Sequence, residues 1–467
     1  MNNMKINKIY YTAFLFVSLL FFNGCEDHQL KPPRKSGGET SRQTGESGLP
    51  VDREFARELA RELGREFARE LSRQLNEGNS SIQMDSVFSA SSVQIGRDPG
   101  SLVDIDGRPH PLLAHCSEDV LEFYQNHTDC FAIKSLEEIP SGLNWKDGLG
   151  EEEFSSPDAK RGGTWNVFMR DFPRTLRTIG PDANGAFRSY LSDYNALSLV
   201  MSHPNSDGYY PGLASSWAVA DDRKTVYFRL DPDARYSDGQ TVRASDFFFL
   251  FYYMRSKHIQ APWYNDFFGK DKFLKVTLFD THTFSITYYK AKPDVVERVS
   301  LRPVPEHFYG ELDGEYLNKY QWLPEPTTGP YVATPENIDK GKSVTLVRQN
   351  DWWADQKKFY RYRFNPDKIK VSVVRDYNKA FEIFLKGEID MFGLAKTEFW
   401  YEKLTDKNQL VKNGYLSKVT FFNQTPPPSY ALRINSQKAP LDNQDIRIGF
   451  HHAMNFKLVL EKIFRGD

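Results

Sequence analysis

The stretch "GLASSWAVADDRKTVYFRLDPDARYSDGQTVRASDFFFLFYYM" (residues 212–254) decides the fold. Within it, "KTVYFRL" (224–230) combines high β propensity with apolar residues on both faces, which predicts a buried strand. The acidic pair at 221–222 suits a hairpin turn, and the Asp-Gly pair at 238–239 suits a second tight turn. The Ser-Asp pair at 245–246 can cap the aromatic helix that follows. The order of these features predicts a β-rich segment that leads into a helix.

A strand–helix–strand unit is predicted farther along the chain. Residues 355–374 end in a strand, and "DYNKAFEIFLKG" (376–387) has the apolar spacing of a helix. Asp376 can cap this helix, and Gly387 can end it. The next stretch, "EIDMFGL" (388–394), is predicted to be another strand. Together they predict a βαβ unit and therefore an α/β fold.

The ordered motifs of the opening stretch also resemble a known family. In chain order they are a "P-x-L-A-x-S-W" turn, an acidic turn, a "Y-x-F-x-L" strand, a "Y-S-D-G" turn and an "A-x-D" helix start, at 211–217, 221–222, around 227–230, 236–239 and 244–246. This set resembles the family 5 extracellular solute-binding proteins, the di- and oligopeptide-binding subunits of ABC importers. Tyr236 stands where the family more often has Trp.

Other landmarks of that family follow in the expected order. They are "SPDAKRGGTWNV", "PTTGPYVA", "VRQNDWWAD", "FLKGEIDMFG" and a segment that begins "INSQKAPLDNQDIR", at 156–167, 326–333, 347–355, 384–393 and 434–467. Asn455 stands where the family usually has Asp, and either residue can cap the next helix. The resemblance covers roughly residues 156–467, and its subtype is the microcin C or oligopeptide type.

The resemblance implies the fold class and the main domain boundaries. We expect an α/β, periplasmic-binding-protein-like (class II) lobe with a mixed β-sheet and flanking helices, formed by residues 156–425. Residues 426–467 would begin a second lobe, which the resemblance implies is incomplete because the family's second lobe largely follows this point. We expect a helical or disordered N-terminal extension ahead of the first lobe.

The N-terminus predicts export. Lys5 and Lys8 precede an apolar run of fourteen residues at 9–22, which is short for a membrane span and suits a signal-peptide core. Gly24 and Cys25 follow shortly after this run and resemble a lipoprotein cleavage box. The Phe-Asn pair just before them departs from the usual pattern of such a box. We expect residues 1–24 to be a signal peptide and Cys25 to carry lipid that anchors the protein to a membrane, outside the cytoplasm. An ordinary secretory peptide with a stray Cys is the alternative.

Four further segments precede the resemblance. Residues 25–50 are rich in Pro, Gly, Ser and charge and are predicted to be a flexible tether, and residues 78–105 a linker. Between them, residues 51–77 contain an Arg/Glu repeat with an apolar residue at every fourth position, which predicts a salt-bridged helix. It is either an exposed spacer or a self-associating coil. Residues 106–155 are predicted to be a small Cys-containing extension.

The cysteines predict one disulfide and no metal site. If Cys25 carries lipid, Cys116 and Cys130 remain as a pair, which an oxidising compartment would let bridge. His115 and His127 lie nearby, but no CxxC or HxxxH spacing supports a metal centre. The net charge of −2 gives no bulk attraction to nucleic acid, so no nucleic-acid partner is expected.

The sequence predicts a binding protein, since no HExxH, G-x-S-x-G or Walker motif is present and no cofactor is implied. The resemblance implies capture of a peptide or peptide-like solute and delivery to ABC permease subunits. The candidate ligand contacts lie on loops at strand ends and are Thr178, Asn184, Trp263, Tyr264, Trp400 and Tyr401. A structural or signalling lipoprotein that has lost transport and associates through the Arg/Glu repeat is the main alternative, and a secreted hydrolase is a weaker one.

Overall fold

The computed structural model describes residues 102–103, 108–394, 396–420 and 434–462. The predicted signal peptide, Cys25, the tether, the Arg/Glu repeat and most of the 78–105 linker lie outside these ranges. Among the described helices, none combines the length and the apolar character that crossing a membrane requires.

The described residues form eleven strands and ten α-helices. The strands are, in chain order, β1 Phe131–Ile133, β2 Thr164–Met169, β3 Val200–Ser202, β4 Tyr209–Pro211, β5 Ala214–Val219, β6 Thr225–Leu230, β7 Phe273–Leu278, β8 Thr283–Tyr288, β9 Tyr331–Asp339, β10 Ser343–Arg348 and β11 Lys368–Val373. The helices are α1 Glu118–Gln125, α2 Ser245–Arg255, α3 Pro262–Phe267, α4 Val295–Val299, α5 Glu306–Tyr309, α6 Tyr316–Lys319, α7 Tyr377–Leu385, α8 Gln409–Lys412, α9 Gln444–Ala453 and α10 Phe456–Lys462. Short 3-10 turns occur at Pro111–Leu113, Leu136–Glu138 and Lys257–Ile259, and π-helical turns at Ser189–Asp193 and Phe399–Lys403.

A five-stranded sheet and the buried helix α2 form the larger core. The strand order is β1-β7-β8-β6-β5, with β1 parallel to β7 and the other neighbours antiparallel. Helix α2 is buried over nearly its whole length, as expected for a helix that is apolar on all sides. The ring of Phe247 stacks 4.5 Å from that of Phe284 on β8, and Phe251 lies 5.2 Å from Phe273 on β7. Aromatic packing therefore joins the helix to the sheet.

A four-stranded sheet forms a second core. Its order is β2-β11-β10-β9, with β2 parallel to β11 and the other pairs antiparallel. Val167 on β2, Val371 on β11 and Leu346 on β10 are buried together on one face. The two sheets and their flanking helices give the mixed α/β class that the sequence predicts.

Several predicted elements are confirmed. The "KTVYFRL" strand is β6, and the aromatic helix is α2. The predicted cap of α2 by Ser245 or Asp246 is wrong, because the N-cap residue is Ala244, which makes no side-chain cap hydrogen bond; Asp246 lies inside the helix and accepts a hydrogen bond from the backbone N–H of Arg243 at 2.9 Å. Helix α7 is capped by Asp376, whose Oδ1 accepts from the N–H of Lys379 at 2.7 Å. The chain leaves that helix at Gly387 with a positive φ of 76°, which favours glycine.

The predicted strand at 388–394 is wrong. The segment runs beside β2, and the N–H of Asp390 donates to the carbonyl of Asn166 at 2.9 Å. The return bond is not a backbone one, because the N–H of Asn166 donates to the Asp390 carboxylate at 2.6 Å. A side chain thus replaces the backbone partner that a ladder needs, so no strand forms and the βαβ unit is not completed.

The 106–155 segment packs as part of the larger core. It contributes β1 to the five-stranded sheet, and Val120 and Tyr124 of α1 are buried there. The predicted disulfide within it is absent, since Cys116 and Cys130 are both free thiols. The two thiols have different neighbours: Cys116 lies beside His115 and Glu306, whereas Cys130 is buried at the start of β1.

Residues 434–462 carry the two helices predicted near the end of the chain. Asn455 caps α10 as predicted, since its Oδ1 accepts from the N–H of Leu458 at 2.9 Å. Helices α9 and α10 expose the apolar side chains of Ile448, Phe450 and Leu458.

Candidate functional site

A cavity of about 290 Å³, which we call the Glu325 cavity, lies where several loops meet β9. Its walls come from the loop after β2, the 191–196 segment, the turn at 236–238, Arg302-Pro303 and the stretch 324–334. Leucine, proline and valine side chains alternate there with hydroxyl and charged groups. A concave, largely apolar wall with a few placed polar groups is the common form of a small-molecule site.

Two of the sequence motifs that carry the family resemblance meet at this cavity. The N–H of Ser237, in the "YSDG" turn, donates to the carbonyl of Thr327 in "PTTGPYVA" at 2.8 Å. In return, the N–H of Thr327 donates to the Ser237 hydroxyl at 3.1 Å. The two motifs are therefore joined by paired hydrogen bonds although they are far apart in the chain.

Asn195 fixes the segment that leads into β9. Its side-chain amide donates to the carbonyl of Tyr331 at 2.7 Å and accepts from the N–H of Tyr331 at 3.0 Å. The backbone of Gly329 passes so close that a Cβ there would lie 1.9 Å from the carbonyl oxygen of Asn195. Only glycine permits this approach, which explains its place in the "PTTGPYVA" motif.

Glu325 supplies a half-buried carboxylate to the cavity. Its Oε2 accepts hydrogen bonds from the hydroxyl of Tyr309 at 2.9 Å and from that of Thr178 at 3.1 Å. Burial raises the pKa of Glu325 above its usual value, while these two hydrogen bonds and the positive charges of Arg188 and Arg302 oppose that rise. The carboxyl group is thus held in place and kept easy to protonate.

Two arginines flank Asp193 on the same side of the site. Arg302 donates from Nη1 to the Ser192 hydroxyl at 3.2 Å and from Nη2 to the carbonyl of Asp193 at 3.2 Å. The Asp193 carboxylate lies 3.4 Å from Arg302 and 3.6 Å from Arg188. The Asp193 carboxylate thus faces two guanidinium groups, and the same two arginines also act on the Glu325 carboxyl group.

The structure brings two of the predicted contact residues to the site. Thr178 lines the Glu325 cavity. Tyr264, on α3, lies beside it: burial raises the pKa of Tyr264, and Arg188, Asp193 and Arg302 act on the same hydroxyl. Thr178 lies on a loop as expected, whereas Tyr264 was expected on a loop and lies in helix α3.

The other four predicted residues lie elsewhere. Trp263 is 64% exposed and stacks on Phe267, with ring centroids 5.1 Å apart. Asn184 is exposed on its loop. Trp400 and Tyr401 belong to the π-helical turn, where Lys418 Nζ lies 4.3 Å from the Trp400 ring centroid. None of these four lines the cavity, so their role in binding stays a prediction.

The comparisons with known proteins identify the family. Residues 208–467 match the family described as bacterial extracellular solute-binding proteins, family 5, middle, and this match covers more than half of the chain. The chain belongs to this family. The mixed sheets with flanking helices are accordingly a periplasmic-binding-protein-like lobe, which confirms the predicted fold class.

Named relatives come from several bacteria. The peptidoglycan-binding protein YepA of Agrobacterium fabrum is 24% identical over 329 residues, covering 67% of this chain and 52% of YepA. The dipeptide-binding protein DppE of Bacillus subtilis is 25% identical over 281 residues, covering 55% of this chain and 46% of DppE. The crystal structure of Haemophilus influenzae OppA with the peptide RPPGFSPFR is 20% identical with a TM-score of 0.48, covering 65% of this chain and 58% of that one. The family 5 chain described here spans about half the length of the curated relatives it matches.

The raised pKa of Glu325 predicts a pH-dependent stability difference for Glu325→Gln. The folded protein holds this proton to a higher pH than the unfolded chain, whose value is near 4.5. Wild-type stability therefore falls as the pH rises from the unfolded pKa through the folded one. Glutamine keeps an acceptor for Tyr309 and Thr178 but does not titrate, so the variant should gain stability relative to wild type as the pH rises above the unfolded pKa.

Chemical denaturation at several pH values measures this difference. Glu311→Gln is the control, because Glu311 is exposed and outside the cavity. The prediction would be contradicted if the stability of Glu325→Gln relative to wild type did not change with pH, or fell as the pH rises.

Gly329→Ala should destabilise the lobe. The new Cβ cannot sit 1.9 Å from the carbonyl oxygen of Asn195, so the backbone must shift and the bonds between Asn195 and Tyr331 must lengthen. We expect a loss of about 1–3 kcal/mol in the free energy of unfolding. Gly185→Ala is the matched control, since nothing lies within 4 Å of a Cβ there. Equal denaturation midpoints for the two variants would show that the close approach is unimportant.

Proposed function

We propose that this family 5 protein is the substrate-binding component of an ABC importer, which captures peptide-like solutes outside the cytoplasmic membrane and delivers them to permease subunits. One observation carries the proposal. The Glu325 cavity places a carboxylate, from Glu325, and a guanidinium group, from Arg302, in one apolar-walled site of an extracellular solute-binding protein.

The chemistry of a peptide fits these groups. Its ammonium group complements a carboxylate, its carboxylate complements an arginine, and its amides pair with hydroxyl and backbone groups such as those of Thr178 and Thr327. Leu176, Leu191 and Val332 offer apolar surface for a side chain. A cavity of about 290 Å³ is at the small end for ligand sites, so it would hold one or two residues of the solute.

The relatives support the same class of solute. DppE is named for dipeptides, YepA for peptidoglycan, and OppA was crystallised with a peptide. Capture of such a solute needs placed polar groups and exclusion of water rather than a nucleophile or a cofactor. We therefore propose a binding function without catalysis.

Peptide titrations test this function. We expect saturable binding of short peptides, measured by calorimetry or by NMR at peptide concentrations up to the millimolar range, because the cavity offers both charged and apolar groups. Glu325→Gln and Arg302→Gln should each weaken binding about 10- to 100-fold, since a hydrogen bond to a charged group contributes about 1.5–3 kcal/mol.

Matched variants and blocked peptides sharpen the test. Glu311→Gln and Arg298→Gln change the same residue types outside the cavity and should leave the affinity unchanged. If Glu325 contacts the ammonium group, acetylation of the peptide should cost affinity in the wild type but little in Glu325→Gln. No saturable binding, or equal losses in the cavity and control variants, would overturn the proposal. Peptide turnover during the titration would favour a hydrolase instead.

We also propose that the protein is attached to a membrane by lipid on Cys25, which lies outside the described residues. The apolar run and Gly24-Cys25 support this attachment. Cys25→Ser should block lipid attachment and move the protein from the membrane fraction to the soluble fraction, or stop its processing. Fractionation of expressing cells measures this, with Cys130→Ala as the control for loss of a thiol. Unchanged membrane attachment of Cys25→Ser would rule out a lipid on this residue.

A further inference from the structure

A second cluster of chemically distinctive side chains lies apart from the Glu325 cavity. His115 and Cys116 follow the first 3-10 turn, and Glu306 begins helix α5. One ligand-type atom from each of the three side chains lies within 4.8 Å of the other two. The closest pair is His115 Nε2 and Glu306 Oε2, which are 3.2 Å apart.

The carboxylate of Glu306 is poorly satisfied for its degree of burial. The residue is only 5% exposed, and among the described residues its carboxylate has no donor beyond the His115 imidazole and the Cys116 thiol. Over the described ranges of the chain, its one ion-pair contact is with His115. The buried hydroxyl of Tyr124 close by also has no partner. A buried carboxylate held only by an imidazole and a thiol is costly when it is charged, and a cation between the three groups would lower that cost.

A second buried carboxyl group lies beside the cluster. Asp246, on α2, is 4% exposed and lies close enough to act electrostatically on Glu306 and Cys116. Its Oδ2 accepts one backbone hydrogen bond, from Arg243. Two buried carboxyl groups beside a thiol and an imidazole favour a cation at this place.

The spacing agrees with tetrahedral coordination. With metal–nitrogen and metal–oxygen bonds of about 2.0–2.2 Å, two ligand atoms at a tetrahedral angle lie about 3.3 Å apart. The observed separation between His115 and Glu306 is 3.2 Å. The sulfur of Cys116 is within 4.8 Å, so a side-chain movement of about 1 Å completes the set.

We propose that His115, Cys116 and Glu306 bind a divalent cation of the zinc class. Imidazole, thiolate and carboxylate together are the ligands that zinc prefers, and binding releases the thiol proton to solvent. The fourth position would hold a water. The Ser245 hydroxyl lies 3.2 Å from His115 Nε2 and would give up that hydrogen bond when the nitrogen binds the ion. The His115 side chain is 31% exposed, which leaves a path for the ion to enter from solvent.

Such an ion would tie the 111–117 segment to the start of α5. This role is independent of the proposed peptide binding. The sequence predicts no metal site, because it has no CxxC or HxxxH spacing around these residues. The nearby His127 is not part of the cluster, since its Nδ1 contacts the carbonyl of Phe123 at 2.7 Å. Glu306, the third ligand, comes from a distant part of the chain that only the fold brings close.

Metal titration of the full, reduced chain tests the proposal. After chelation, we expect it to bind one Zn²⁺ tightly with a rise in Tm, and one Co²⁺ with the intense visible bands of tetrahedral coordination and a thiolate-to-cobalt charge-transfer band. His115→Ala, Cys116→Ser and Glu306→Gln should each weaken Zn²⁺ binding at least tenfold, and Cys116→Ser should abolish the charge-transfer band.

His127→Ala is the matched control, since His127 lies outside the cluster and should leave binding unchanged. Glu306→Gln should also be at least as stable as wild type without metal, because it removes a buried charge; this keeps lost binding distinct from misfolding. Absence of bound Zn²⁺ in the wild type would overturn the proposal. So would Zn²⁺ or Co²⁺ binding that is the same in the three ligand variants and in His127→Ala.

Discussion

The amide of Asn195 is the interaction on which the arrangement of the site depends. It pairs with both backbone groups of Tyr331, at 2.7 and 3.0 Å, as a neighbouring strand would. Beside it, the N–H of Leu197 donates to the Thr328 hydroxyl at 2.9 Å, and the indole of Trp352 donates to the Thr328 carbonyl at 2.9 Å. All of these groups are buried, so each lost partner would cost about 1–3 kcal/mol. The loop that carries Glu325 therefore has one position relative to the first residues of β9.

This constraint links the two cores. Leu197 belongs to the core of the five-stranded sheet, and Tyr331 to that of the four-stranded sheet. Asn195 lies between them in the structure, and the Glu325 cavity forms at the same junction. A side chain can make this connection where a backbone ladder cannot, because it satisfies a donor and an acceptor at once without extending either sheet. The cavity is thus a consequence of how the two cores are joined.

The local elements of the fold follow from the sequence, but the members of the site only partly do. Strand β6 and helices α2 and α7 could be predicted because propensity and apolar pattern agree within one short window, and for α7 the cap agrees as well. The 388–394 segment shows the limit of such reasoning. It has a strand-like composition, yet the Asp390 side chain takes the N–H of Asn166, a partner that no local pattern reveals.

The same limit applies to the site. Thr178 was expected from its loop position and lines the cavity, whereas Tyr264 lies in a helix and does not line it. Glu325 and Arg302 could not be predicted, because one acid among 62 and one base among 60 carry no local mark of function. What distinguishes Glu325 is its set of partners, Tyr309 and Thr178, which come from other parts of the chain.

The aromatic side chains pack mainly inside the core, and one of them, Tyr309, also contacts the site. Aromatic residues make up 14% of the sequence, and the largest fully buried side chains are tyrosines and phenylalanines. Tyr309 packs against Tyr320 and Tyr253, with ring centroids 4.7 and 4.8 Å apart, and the hydroxyl of Tyr253 bonds to that of Tyr316. This packing leaves the Tyr309 hydroxyl no freedom to turn away from Glu325. A tyrosine ring fills the core as a phenylalanine ring would, and its hydroxyl also donates a hydrogen bond at the edge of the core. The packed ring of Tyr309 therefore holds the Glu325 carboxylate in place before a ligand binds.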